Sequence, residues 1–263
     1  MQKLLILFTL MNMTTLPIHS QIEGKSMPYA EVLEDKPLVV ILLGPPGAGK
    51  GTHAKPLQER LDLPHISTGD LLRGHISEGS TLGKKAKDYI NQGKLVPDEL
   101  VLDMLFSRVE ERDCYKGFIL DGFPRTLYQA KALDQKLAEK AHVVVLHFKI
   151  TDNFLVERIS GRLTCKNCNA VYHTKYNPPK ETTICDHCSH PLIHRKDDTE
   201  KVIKERLKVY HEQTKPLISY YDAKEVLYDI NSQKSQREVF EDLTQTIDAY
   251  LSSHYQEEVA VKK

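Results

Sequence analysis

The 263-residue chain predicts an α/β fold, a doubly wound five-stranded parallel sheet with a phosphate-binding loop (P-loop) and a small zinc-ribbon-like insertion. Three observations carry this prediction. Short apolar runs alternate with segments of helical spacing, as βαβ units require. The first run ends in "GPPGAGKGT", Gly44 to Thr52, a glycine-rich turn that opens a helix. Two C-x₂-C pairs, Cys165/Cys168 and Cys185/Cys188, lie late in the chain.

"LVVILL", Leu38 to Leu43, is a continuous apolar run ended by glycine, as expected of a strand buried on both faces of a parallel sheet. A helix should start near Gly49. Pro56 falls inside it, where a missing hydrogen bond costs ~3 kcal/mol and predicts a kink. "PHIS" (64–67), "GFILD" (117–121), "HVVVLHF" (142–148) and "EVLYDI" (225–230) read as the other four strands. Asp98 to Glu111 and Thr126 to Glu139 have helical spacing. Ligands of such sheets bind beyond the carboxyl ends of the strands. The charged end, Gln256 to Lys263, is expected to fray.

Residues 1–30 read as an N-terminal extension outside the main domain (31–263). "MQKLLILFTLMNMTTLPIHSQ" carries a charge, an apolar run and a polar stretch, like a secretory signal. The run falls far short of the ~20 residues of a membrane span. The alternative is a start at Met27, with the upstream residues mis-assigned. Basic and acidic side chains balance at 36 each, so bulk charge attracts neither nucleic acid nor an anionic membrane.

In "GPPGAGKGT" the glycines let backbone N–H groups close around phosphate oxygens, and Lys50 reaches the transferred phosphate. Gly51 occupies the place where such loops normally hold Mg²⁺ with a hydroxyl, and Thr52 comes one residue late. The metal is therefore expected to be held by nucleotide and water more than by the loop. In "ISTGDLLR", Thr68 and Arg73 follow a short strand, and Arg73 can pair with a phosphate. In "GFILDGFPRTLYQA", Asp121 ends a strand at the ligand edge, where a carboxylate can orient Mg²⁺ through water. Gly122-Phe123-Pro124 makes a turn, Arg125 follows, and Gln129 is four residues on.

"GPPGAGKGT", "ISTGDLLR", "GKLVPDELV" and "GFILDGFPRT" together resemble the adenylate kinase family, from about Leu38 to about Leu251. The Gly-Lys-Gly-Thr loop is itself typical of that family. The resemblance implies reversible transfer from MgATP to AMP, giving two ADP, and two mobile flaps. One, at about 67–96, closes on AMP; the other, at about 161–198, is the ATP lid. It implies AMP binding by Thr68, Arg73, Lys94, Leu95, Val96, Gly122, Phe123, Pro124, Arg125 and Gln129, with Gln129 reading the adenine edge. It implies ATP binding by Gly47, Ala48, Gly49, Lys50, Gly51, Thr52, Arg158, Arg162, Val171, Tyr172 and Lys234, with Arg158 on the adenine. Arg195 and Arg206 match two arginines on the transferring group that also serve AMP. Asp197 and Asp198 match acidic residues at the lid hinge. Catalysis would rest on Lys50, Asp121, Arg125, Arg162, Arg195 and Arg206.

The spacing C-x₂-C-x₁₆-C-x₂-C is a zinc signal, and four thiolates would close the metal's shell, making it structural. His173, His187 and His190 are substitute ligands, and disulfides or free thiols the other reading. Cys114 reads as an inert thiol. The family match places both pairs in the lid. An ATP-dependent enzyme points to the cytoplasm, reduced thiols and zinc. The expected partners are ATP, AMP and ADP, with no nucleic acid, no membrane and a monomeric state. Two alternatives are a UMP or CMP kinase, disfavoured by the large lid and by Thr68 and Gln129, and a nucleic-acid-binding zinc ribbon fused to a P-loop domain, disfavoured by neutral charge.

Overall fold

A computed structural model describes residues 36–138 and 140–261. The extension expected at 1–30 and the helix end expected at Glu139 lie outside the described residues. Five strands form one parallel sheet: β1 (Leu38–Leu43), β2 (His65–Ser67), β3 (Gly117–Asp121), β4 (His142–Lys149) and, late in the chain, β8 (Leu227–Asn231), in the order β2-β3-β1-β4-β8. β1 pairs with β3 from Leu38↔Gly117 to Leu42↔Asp121 and with β4 from Leu38↔His142 to Leu43↔His147.

Both faces of the sheet are covered, and the two-residue period of a strand divides β1 between two cores. Leu38, Val40 and Leu42 pack with Ile119, Val144, Leu146 and Phe148 under α1 (Lys50–Leu61) and α9 (Gln236–Val261). Val39, Ile41 and Leu43 pack on the other side with Phe118, Leu120 and Val145. That second face is covered by α4 (Asp98–Val109), α5 (Leu127–Leu137) and α8 (Pro216–Asp222), which follows α7 (Glu200–Val209) through a π-helical turn at Tyr210–Thr214. A strand buried on both sides must be apolar throughout, which is why "LVVILL" lacks alternation.

Two departures from expectation have local causes. α1 runs unbroken from Lys50 to Leu61 through Pro56. Pro56 is exposed, so the lost hydrogen bond falls on a side open to water. The C-terminal segment does not fray at Gln256: α9 continues to Val261. Val239, Leu243, Ile247, Tyr250 and Leu251 anchor its earlier turns in the core, and once a helix is nucleated each further residue adds a bond.

Two insertions rise from the carboxyl edge of the sheet. The first holds α2 (Thr68–Ser77) and α3 (Thr81–Asn91), whose N-termini are capped by Ser67 and Ser80. The second follows α6 (Asp152–Ser160) and is a three-stranded antiparallel sheet, β6-β5-β7, of β5 (Arg162–Cys165), β6 (Val171–His173) and β7 (Leu192–Ile193). Its core is small: Leu163, Cys165, Ala170, Tyr172 and Cys185. These two segments fall within the ranges expected for the flap and the lid. Among the described residues, no helix is long and apolar enough to cross a membrane.

Candidate active site

β1 ends where the sheet order switches direction, and a ligand crevice is expected there. A cleft of about 1230 Å³ opens at this point, between the loop, the flap and the lid. The loop needs backbone that side chains disfavour. Gly47 has φ 82°, and a Cβ there would come within 2.6 Å of the Ile159 side chain. Gly49, at φ 100°, precedes α1, and no side chain caps that helix. Its first N–H groups and its dipole therefore face the cleft, a ready anion site.

Lys50 is held by the carbonyls of Gly44 and Pro45, at 2.8 and 2.9 Å. Burial pushes its pKa down to about 8, against the pull of Asp121 and with the repulsion of Arg125, Arg206 and Arg162. The charged form is the useful one, and it is lost as pH rises through that value. kcat/KM for MgATP is therefore expected to fall above pH ~8, while kcat at saturation falls later because bound phosphate favours the charged lysine. Coincident pH profiles of kcat/KM and kcat would contradict this.

Asp121 ends β3 opposite the loop. Burial acts to raise its pKa, but His65, Lys50 and Arg125 outweigh burial and hold it down at about 2. A Cβ on Gly51 would lie 3.4 Å from Asp121 Oδ2. The space a loop hydroxyl normally takes is thus shared with this carboxylate.

All six cations expected from the sequence, Lys50, Arg73, Arg125, Arg162, Arg195 and Arg206, line the one cleft. Arg158, Val171, Tyr172 and Lys234 line it too, as do Gly47, Ala48, Gly49, Gly51, Thr52, Gly122 and Pro124. Carboxylates lie against four of these arginines. Arg162 forms a bidentate pair with Asp198, its Nε donating to Oδ2 at 2.8 Å. Arg206 Nη1 donates to Asp198 at 3.0 Å and to Asp197 at 3.1 Å. Arg73 pairs with Asp70, whose carboxylate also lies 3.9 Å from Arg195. Burial, then mutual repulsion among the arginines, lowers the pKa of Arg195 and of Arg206 to about 10. Such a cluster is relieved by bound polyanion.

A smaller pocket of about 60 Å³ adjoins the cleft under the flap. Thr68, Arg73, Lys94, Leu95, Val96, Gly122, Arg125, Gln129 and Arg206, nine of the twelve residues expected to bind AMP, meet there. Thr68 Oγ1 and Arg125 Nε both donate to the Gly122 carbonyl, at 2.8 and 2.7 Å. Gln129 is committed at both ends of its amide. Its Oε1 accepts from Arg125 N at 2.7 Å, and its Nε2 donates to Asp98 Oδ1 at 2.8 Å. An amide has two donor hydrogens and two acceptor lone pairs, so one of each remains for a base. Phe123 is the exception among the expected residues. It is 1 % exposed, packs in the core and lines neither the cleft nor the smaller pocket.

Two further expected residues carry additional contacts. Arg158 lies over the Tyr176 ring, 6.0 Å from its centroid, and Lys234 pairs with Asp242 at 2.6 Å. Tyr176 had no motif to mark it. Asp70 and Asp98 sat inside quoted motifs, but their partners were not visible there. Asp70 lies three residues before Arg73, a spacing that could have suggested the pair.

In the lid, the four sulfurs of Cys165, Cys168, Cys185 and Cys188 lie within 4.8 Å of one another. The nearest pairs are 3.4–3.5 Å apart and all four are free thiols, so the disulfide reading does not hold. Tetrahedral Zn–S bonds of ~2.3 Å put sulfurs ~3.8 Å apart, so the donor set fits that metal. Two of the three substitute histidines have a ring nitrogen engaged elsewhere. His173 Nδ1 accepts from Lys175 N and Tyr176 N, and His190 Nδ1 bonds the Cys188 carbonyl. His187 packs its ring on Tyr172. Cys114 is buried beside Arg108 and Asp113, and burial first of all raises its pKa to about 11, which makes it an inert thiol.

Comparison with known proteins agrees with this geometry. The family model described as adenylate kinase matches residues 42–226. An adenylate kinase of Clostridium novyi (strain NT) is 48% identical over 211 residues, covering 80% of this chain and 98% of that protein. One from Archaeoglobus fulgidus is 50% identical over 206 residues, covering 78% and 95%. One from Clostridium botulinum (strain 657 / Type Ba4) is 51% identical over 203 residues, covering 76% and 94%. A cleft of arginines around a phosphate loop, a matching family model over most of the chain and relatives at about half identity agree on one conclusion: the chain belongs to the adenylate kinase family.

Proposed function

We infer that the cleft runs the reaction of its family, ATP + AMP ⇌ 2 ADP, with ATP between the loop and the lid and AMP in the pocket under the flap. The convergence of six cations from the loop, the flap, the turn after β3, the lid and α7 on one cleft carries this reading. Phosphoryl transfer leaves little covalent work, so positioning and neutralising spread negative charge supply most of the rate. Lys50 and the uncapped start of α1 take the donor's phosphates. Arg162 and Arg195 close on the moving group when the lid descends, and Arg206, on α7, meets it from below. Arg73 and Arg125 hold the acceptor's phosphate. Arg158 and Tyr176 bracket the donor's base, with Val171, Tyr172 and Lys234 beside it.

Mg²⁺ entering with ATP would supply positive charge that neutralises the donor's phosphates. Asp121 fits a role in holding it through water, since it stays ionised and Gly51 leaves room. The four thiolates fit a structural Zn²⁺. The neutral charge balance speaks against a nucleic-acid partner, and we place the enzyme in the cytoplasm, as a monomer.

ADP formation from MgATP against a panel of nucleoside monophosphates tests the acceptor. AMP should be preferred, and equal turnover of AMP, CMP and UMP would refute this. Gln129→Ala should lower kcat/KM for AMP by about 5- to 150-fold, the ~1–3 kcal/mol of a buried polar pair left unmade.

A further inference from the structure

His65 opens β2, and its neighbour on β3 is Ile119, two residues before Asp121. Paired residues of parallel strands share a face, so His65 and Asp121 point to the same side of the sheet, beneath the start of α1. Both line the cleft. His65 Nε2 lies 3.7 Å from Asp121 Oδ2, slightly beyond a hydrogen bond. Among the described residues, that buried nitrogen has no hydrogen-bond partner. Buried polar atoms are nearly always paired, so an orphan inside an active-site cleft calls for a reason.

Asp121 supplies one. Lys50 donates to the Gly44 and Pro45 carbonyls and Arg125 Nε to the Gly122 carbonyl, so both attract the Asp121 carboxylate through charge without fixing its plane. Oδ2 is also the atom that would face a Cβ on Gly51. A directional donor on that oxygen would stop the carboxylate turning.

We propose that His65 is a positioning residue for Asp121, its Nε2–H donating to Oδ2 when Mg²⁺-nucleotide is bound and holding the carboxylate against rotation. The proposal rests on the reading of Asp121 as the carboxylate that meets the metal through water. A sub-ångström approach of the two groups is all that is required. The imidazole takes no part in the transfer itself.

Calorimetry of MgATP against metal-free ATP, on the full chain, tests it without turnover. Wild type should prefer MgATP. His65→Leu should reduce that preference about 10-fold, and His65→Gln, which keeps an N–H donor, should restore it to within about 2-fold. AMP binding should not change in either. Nitrogen NMR of the imidazole should show the proton on Nε2 of His65, with a signal that moves in Asp121→Asn. A proton on Nδ1 alone would overturn the proposal, as would a His65→Leu variant with unchanged preference, or a His65→Gln as impaired as His65→Leu. Asp121→Asn separates the two readings. If it abolishes the MgATP preference while His65→Leu does not, the positioning role alone is wrong. If Asp121→Asn itself keeps the preference, the metal role of Asp121 fails, and this proposal with it.

Discussion

Arg206→Ala is expected to lower kcat by at least ~10²-fold while leaving the binding of each single nucleotide much closer to wild type. Arg206 lies at the meeting point of both pockets and is held by Asp197 and Asp198. A cation fixed before the reaction matters most when charge spreads over the moving phosphoryl group, which belongs to neither substrate alone. Arg125→Ala should behave alike, since its guanidinium is tied to the Gly122 carbonyl and faces both pockets. The Arg206 variant leaves Asp197 short of its nearest partner, and breaking a buried pair can cost ~3–5 kcal/mol of stability. Turnover should therefore be compared below the melting transition of each variant. Loss of nucleotide affinity alone, with kcat intact, would remove both residues from the transfer step.

The second large effect concerns the lid. Stripping metal from the four thiolates, or replacing Cys185 with Ser, should lower the melting temperature by on the order of 10 °C, from a loss of ~3–5 kcal/mol. The lid's core is only five buried residues, two of them cysteines, so it lacks apolar area to hold itself together. Zinc binding there becomes folding free energy of the lid. Activity at low temperature should survive in part, because no sulfur is required at the phosphates. Lid closure must still bring Arg162, at the start of β5, and Arg195, just past β7, onto the same group, so kcat should fall as the lid loosens. Native mass spectrometry showing no metal on reduced protein would defeat this. So would a chelator that ends turnover at once without moving the melting temperature.

What could be read along the chain was what short-range pattern encodes. The strands β1 and β3 announced themselves most clearly, as apolar runs with glycine or proline at their ends. "GPPGAGKGT" carried its own chemistry, because a phosphate cradle is made from consecutive backbone N–H groups. The cysteine pairs gave the metal set because C-x₂-C already places two thiols on one turn. The six cations were legible through their motifs, and all six meet in one cleft.

What only the tertiary structure decided is how those groups are held, since that depends on contacts between elements far apart in sequence. Asp198 orients Arg162 across 36 residues, and Asp98 holds Gln129 across 31. No periodicity links such pairs, because each side chain's partner is set by how the flap, lid and sheet pack. The same holds for His65 and Asp121, brought side by side by the register of β2 on β3. The continuation of α9 past Gln256 belongs here as well: its polar end looked unsupported along the chain, and the support came from earlier turns buried against the sheet. Local sequence therefore determined which charges this protein owns and on which elements they ride. Packing determined their directions, because a carboxylate or an arginine gains its meaning from the group placed opposite it.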